Sequence, residues 1–170
     1  PDGTVSLDED NKLQIRKRGG TFLYLQNKNI TSLAGIEYFT DLETLDCAGN
    51  QLTTLDVTGL TNLTDLECND NQLVSLDVST LEELKLLWCH GNKMTALDIT
   101  HNAYLGDLTC GNQQDNQQLT LTLWDTKKEF WDRMLDRHSD ENSNVTTNVI
   151  EAPVNADHDG YEEDGETVDW

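Results

Sequence analysis

Four cysteines at positions 47, 68, 89 and 110 follow one another at an interval of 21 residues, and this spacing constrains the fold more than any other feature. Aligned on them, the chain reads LETLDCAGNQL (42–52), LTDLECNDNQL (63–73), LKLLWCHGNKM (84–94) and LGDLTCGNQQD (105–115). Between these runs LDV or LDI returns at 55–57, 76–78 and 97–99. An earlier unit of 22 residues begins FLYLQNKNITSL (22–33), with Leu25 in the cysteine position and Ile30 matching Leu52. A unit this short cannot bury its own apolar edge, so the units must stack and share one continuous core.

Each repeated letter has a physical reason. Leu45 and Cys47 alternate with Thr44, Asp46 and Ala48, the period of two that marks a short strand. Stacked copies give a parallel sheet with Leu and Cys inward and the alternate residues on the concave face. Asn50, Asn71 and Asn92 fall where the chain turns inward after the strand. There an amide side chain bonds backbone groups that the bend would leave unpaired. The rest of the unit has no room for a full helix, so 3₁₀ or extended segments are expected on the convex side. The L-x-x-L-x-[L/C]-x-x-N-x-L phrase is similar to the leucine-rich-repeat pattern over about five units.

The last unit departs from this pattern, with Gln113 in place of the asparagine, Asp115 in place of the leucine, and a polar stretch over 111–118. LTLTL (119–123) then alternates like a strand, and Thr126 with Glu129 reads as a capping box opening a short helix. Phe130, Trp131, Met134 and Leu135 would form its apolar face, and NVTTNVI (144–150) reads as a further strand. The expected fold is an α/β, right-handed leucine-rich-repeat solenoid with a parallel concave sheet, short 3₁₀ or extended convex segments and a helix-containing C-terminal cap. Its parts are an N-terminal cap segment (1–19), the repeats (20–118), the C-terminal cap (119–150) and an acidic tail (151–170).

Residues 21–150 resemble the leucine-rich-repeat surface proteins of gut anaerobic bacteria, through their L-x-x-L-x-C-x-x-N-Q-L and L-D-V phrases. NITSLAGIEYFTDLETL (29–45) resembles internalin-type repeats. The resemblance implies a secreted or cell-surface protein that binds proteins or glycans, adheres rather than catalyses, and needs no cofactor. The chain opens at Pro1 with no Met and no apolar leader, which reads as a processed or trimmed start with any signal peptide removed.

Charge narrows the partners. With 11 Lys and Arg against 32 Asp and Glu the formal net charge is −21, which argues against nucleic acid, because phosphate binding needs clustered cations. No run approaches ~18 apolar residues, so no transmembrane segment is expected. A monomer is the expected state.

The cysteines invite a metal or redox reading that the stacking discourages. Equivalent positions on neighbouring strands lie ~4.8 Å apart, so four in a row form a line and not a tetrahedral zinc site. Side-by-side Cβ vectors also disfavour disulfides, which leaves four small buried core residues. Cys89 and His90 point to opposite faces of their strand and cannot act as nucleophile and base.

The concave face offers a better candidate. Register places Phe22, Thr44, Asp65, Leu86 and Asp107 in one outward column. Tyr24, Asp46, Glu67, Trp88 and Thr109 form the second, and Gln26, Ala48, Asn69, His90 and Gly111 the third. Tyr24, Asp46, Asp65, Glu67, Leu86, Trp88 and His90 are the candidate ligand-binding residues, since exposed aromatics beside polar groups commonly anchor interfaces. Such a face suits a basic protein, a cation or a sugar stacked on Trp88. Asp46 and Glu67 are spaced like the carboxyl pair of a retaining glycosidase. An open sheet, however, is expected to give neither a deep site nor a carboxyl with a raised pKa.

The tail holds eight acids and no Lys or Arg, the composition of a solvated linker. Within it NADHDGYEEDGE (155–166) fits a twelve-residue calcium loop. Asn155, Asp157 and Asp159 would supply side-chain oxygens and Tyr161 its carbonyl. Glu163 would act through water, and Glu166 would close the site. Asn in the first position and Glu162 in a normally apolar one depart from the motif, and Pro153 leaves no room for a preceding helix. DGTVSLDE (2–9) matches the second half of such a loop. These motifs make calcium the cofactor a larger, glycan-handling secreted protein would use through this module. The sequons at Asn29, Asn62 and Asn144 are what chance gives in a chain rich in Asn and Thr.

Overall fold

The computed structural model describes residues 22–153, together with two short strands nearer the N-terminus. Those strands, β1 (Val5–Leu7) and β2 (Leu13–Ile15), pair antiparallel. The concave sheet comes next and is wholly parallel. It runs β3 (Phe22–Tyr24), β4 (Thr44–Asp46), β5 (Asp65–Glu67), β6 (Leu86–Trp88) and β8 (Asp107–Thr109), with one strand from each repeat. This is the solenoid the repeats require.

The core is a single column of stacked side chains. Leu45, Leu66, Leu87 and Leu108, at the centres of four successive strands, are fully buried. Cys47, Cys68, Cys89 and Cys110 are equally enclosed, and all four are free thiols. Each leucine removed from water stabilises the fold by roughly 1.5–3 kcal/mol before chain entropy is counted.

The asparagines close the turns as their spacing predicts. Asn71 accepts from Leu52 N–H (3.0 Å) and donates to the carbonyls of Cys47 (3.0 Å) and Cys68 (3.1 Å), joining two coils through one side chain. Asn92 repeats this with Leu73, Cys68 and Cys89, one repeat further on. Gln113 does not break the series. Its Oε1 accepts from Met94 N–H at 2.8 Å and its Nε2 donates to Cys110 O at 2.7 Å, so the longer amide occupies the asparagine position.

A second series concerns backbone handedness. Asn27, Gly49, Asp70, Gly91 and Asn112 occupy equivalent places between strand and asparagine position, and all have positive φ, from 46° to 67°. Gly, Asn and Asp are the residues that tolerate this left-handed turn.

On the convex side the repeats use one short 3₁₀ helix (Ile36–Tyr38) and isolated tight turns. Leu60 N–H bonds Val57 O and Leu81 N–H bonds Val78 O. The aspartate of each LDV or LDI phrase fastens the next turn. Asp56 Oδ1 accepts from both N–H and Oγ1 of Thr58, and Asp98 does the same for Thr100.

The end of the solenoid departs from the regular repeat. Leu97 and Asp98 of the fourth repeat's LDI phrase lie in a strand, β7 (Ala96–Asp98), an extended segment of the kind the sequence allows on the convex side. It pairs with β9 (Leu119–Trp124), which pairs in turn with β10 (Val145–Ile150), so LTLTL joins a second parallel sheet and not the concave one. The capping box also does not form. Helix α1 (Lys128–Arg137) is entered through a 3₁₀ turn, Asp125–Lys127, and its N-cap Lys127 makes no side-chain bond. Asp125 Oδ1 takes the Thr126 N–H instead.

The helix closes the core all the same. Trp131 and Met134 are buried in the leucine column with Leu119, Leu121 and Leu123. Asn142, just beyond the helix, accepts from Cys110 N–H at 2.8 Å and donates to Leu108 O at 3.2 Å. Those are backbone groups that a further repeat would have paired.

Candidate functional site

The register of the concave sheet sets which outward side chains are neighbours. Phe22, Thr44, Asp65, Leu86 and Asp107 are in line across the five strands, as are Tyr24, Asp46, Glu67, Trp88 and Thr109. The ladder continues past the strand ends, with Gly49 N–H on Asn69 O and Asp70 N–H on His90 O, which carries the third column.

Exposure varies along the columns. At the N-terminal edge Phe22 and Tyr24 keep 54% and 58% of their surface in solvent. In the middle Asp46 is almost wholly buried, at 7% exposure, while Asp65 and Glu67 are half-buried. Asp46 Oδ1 accepts from Ala48 N–H, and Asp65 Oδ2 accepts from Thr64 Oγ1. The side chain of Glu67 makes no hydrogen bond or ion pair among the described residues. Burial, then the negative charges of Asp46 and Asp65, push its carboxyl above the ordinary value. The sequence reading expected no raised carboxyl on so open a face. Partial burial on the sheet is the larger cause that reading left out, and the charges of Asp46 and Asp65 add to it.

At the C-terminal end the aromatics are not free. Trp88 and His90 are half-buried and held by the next strand. The Trp88 indole N–H donates to Asp107 Oδ1 at 3.2 Å, and His90 Nδ1 lies 2.8 Å from Thr109 Oγ1. Residues after α1 close over this corner. His138 Nε2 approaches Asp107 Oδ1 to 3.1 Å, within ion-pair distance but out of line for a hydrogen bond, so the nitrogen is buried and unbonded. Desolvation lowers the His90 pKa, Asp70 and Glu141 oppose that shift, and His138 adds to it.

The candidate residues therefore form two groups. Asp46, Asp65 and Glu67 gather at the centre beside Tyr24, whereas Trp88 is bonded to Asp107 and His90 to Thr109, with His138 close to Asp107. Asp107 and Thr109 stood in the predicted columns, but nothing in the repeat pattern pointed to His138, which comes from outside it. Leu86 is half-buried in line with Asp65. Asn155, Asp157, Asp159, Tyr161, Glu163 and Glu166, the proposed calcium loop, lie outside the described residues.

The cysteines offer no chemistry at this face. Burial pushes the Cys47 thiol up to about 12, with Asp46 adding to the shift, and burial raises the other three as well. Among the described residues no three His, Cys, Asp or Glu side chains gather closely enough to hold a metal. No described helix is long and apolar enough to cross a membrane. A groove of about 430 Å³ lies elsewhere, floored by Leu33, Leu55 and Val57 and edged by Glu37, Asp56 and Asp77, none of which belongs to the three columns.

Residues 21–60 match the family model described as Leucine Rich repeats (2 copies). No curated protein matches the sequence. Among solved structures the chain is similar to the functional domain of InlJ from Listeria monocytogenes, described as including a cysteine ladder, at 34% identity with a TM-score of 0.48. The similarity covers 61% of this chain, which spans 30% of that one.

Proposed function

We propose, from the premise that this chain is a leucine-rich-repeat protein, that it is a non-catalytic binding module which takes a protein or glycan ligand on its concave face. The observation that carries this reading is the row Tyr24, Asp46, Glu67, Trp88, one residue from each of four adjacent strands. It presents two aromatic side chains and the Glu67 carboxylate on one rigid sheet, with Asp46 almost wholly buried among them, and rigid scaffolds hold such anchors at low entropic cost. The resemblance to bacterial surface repeats supports a secreted or cell-surface, adhesive role. Calcium at 155–166 would be an accessory to that role in a larger protein, and the concave row does not depend on it.

The test is a binding screen against immobilised secreted glycoproteins, each presented intact and deglycosylated. Wild type is compared with Trp88→Ala, Tyr24→Ser and the control Tyr104→Ser, whose side chain is exposed outside the columns. A ligand kept by the control and lost by the two concave variants supports the proposal, and the deglycosylated arm separates protein from glycan. A ligand that both concave variants retain overturns it.

A further inference from the structure

We infer that His138 and Asp107 form a proton-operated latch at the C-terminal corner of the concave face. A proton on His138 completes an ion pair that fastens the segment after α1 to strand β8. The same pair fixes the Asp107 carboxylate on which the Trp88 indole rests. The inference goes beyond the binding reading above, and its test uses no ligand.

Three parts of the chain meet on one oxygen. Asp107 Oδ1, on β8, accepts from the Trp88 indole N–H of β6 at 3.2 Å, and His138 Nε2, at the end of α1, comes within 3.1 Å of the same atom. The second contact is incomplete, because that nitrogen is buried and makes no hydrogen bond. A neutral ring with its proton on Nδ1 turns a lone pair toward the carboxylate, whereas an imidazolium presents donors on both nitrogens. A small turn of the charged ring brings its N–H into line, and a charge-assisted bond of this kind is roughly twice as strong as a neutral one.

The latch has a closure to hold. His138 ends α1, its N–H on Met134 O and its carbonyl accepting from Asn142 N–H, both at 2.9 Å. Asn142 in turn accepts from Cys110 N–H and donates to Leu108 O. Fastening His138 therefore steadies the amide that closes the open end of the sheet. The surroundings suit a cation there. The C-terminus of a helix attracts positive charge, Asp107 faces the ring, and Asp70 and Glu141 act on the neighbouring His90. Arg137 precedes His138 with an exposed side chain, where solvent and salt screen its charge. His90 could oppose a second cation, but desolvation favours its neutral form, with Nδ1 beside Thr109 Oγ1.

The experiment is an NMR titration of the full chain from about pH 8 to about pH 5, the range in which histidine side chains change charge. Glu67 neighbours Trp88 and has a raised carboxyl, so Glu67→Gln is titrated beside the wild type to remove its signal. In that background the Trp88 indole N–H should shift in one step that follows the His138 ring signals. Amide protection at Cys110, corrected for intrinsic exchange, should be higher at the acid end than at the alkaline end. Adding His138→Gln should abolish both effects, and so should adding Asp107→Asn, which keeps the shape and drops the charge. His90→Gln should keep both. A Trp88 step that survives His138→Gln, or Cys110 protection that is equal at the two ends of the range, overturns the inference. Either failure leaves the concave-face reading standing, since the binding screen decides that reading separately.

Discussion

Glu67 and Trp88 stand side by side on adjacent strands of the concave sheet, yet the indole nitrogen of Trp88 is committed to Asp107 on its other side, 3.2 Å away. The consequence is a polarised face. Its C-terminal corner is stitched internally by Trp88, His90, Asp107 and Thr109, while its centre carries an acid that nothing in the described chain neutralises. A binding surface needs both properties, a preorganised wall and an unmet demand beside it.

Trp88→Ala should cost stability modestly, by about 1–2 kcal/mol, because half the side chain is buried and one hydrogen bond is lost. Urea unfolding measures the cost. A loss above roughly 4 kcal/mol would place Trp88 among the core residues and remove it from the ligand surface.

Glu67→Gln should stabilise the protein at neutral pH by up to about 0.5 kcal/mol, the usual ceiling for a partly exposed position. The folded chain holds the Glu67 proton to higher pH than the unfolded chain does. The carboxylate therefore costs stability, and that cost appears as pH rises through the ordinary carboxylate range near 4.5 and on through the folded value. Below that range variant and wild type should melt together, which thermal melts from pH 3 to pH 8 would reveal.

Asp56 and Asp77 should act in the opposite sense. Hydrogen bonds from Thr58 and Ser79 hold their carboxyls below the ordinary value of 3.8. Their contribution is present above that value and is lost as pH falls through the folded one. Asp77→Ala should cost more stability at pH 7 than in acid below the folded value, where the charge is gone.

The amide ladder should be at least as sensitive as the face. Asn71→Ala strands the Leu52 N–H inside the fold and takes one of two amide donors from the Cys47 and Cys68 carbonyls, which Asn50 and Asn92 still serve. With one buried donor left unpaired, a loss of about 1–3 kcal/mol is expected. Gln113→Ala should cost a similar amount through Met94 and Cys110. If Gln113→Ala proves neutral, the longer amide is not part of the ladder.

Thiol reactivity reports the same core. All four cysteines should resist Ellman's reagent at pH 8 in the folded protein, since burial holds Cys47 at about 12 and encloses the others completely. All four should react at once in denaturant. A thiol labelled without unfolding would show that the column is open there.

The repeat made the solenoid readable because spacing, apolar positions and asparagine recur together, and so the outward columns followed by counting. The left-handed turns at Asn27, Gly49, Asp70, Gly91 and Asn112 went unread, because the residue type changes from repeat to repeat while the conformation does not. What else counting missed lies where repetition stops. Gln113 looked like a break because its extra methylene disguises the same bonding. Ala96–Asp98 became a strand only because β9 lies beside it, and His138 reached the concave corner from outside the repeats. The raised carboxyl of Glu67 comes first from burial and then from Asp46 and Asp65, and residue-by-residue reading gives neither.

The most direct test of the account is to map, by backbone and indole NMR shifts, where a ligand from the glycoprotein screen contacts the chain. The account predicts the largest changes at Tyr24, Asp46, Glu67 and Trp88, with the convex groove silent. Shifts centred on Leu33, Leu55 and Val57 instead would place the ligand in that groove and contradict the concave-face assignment.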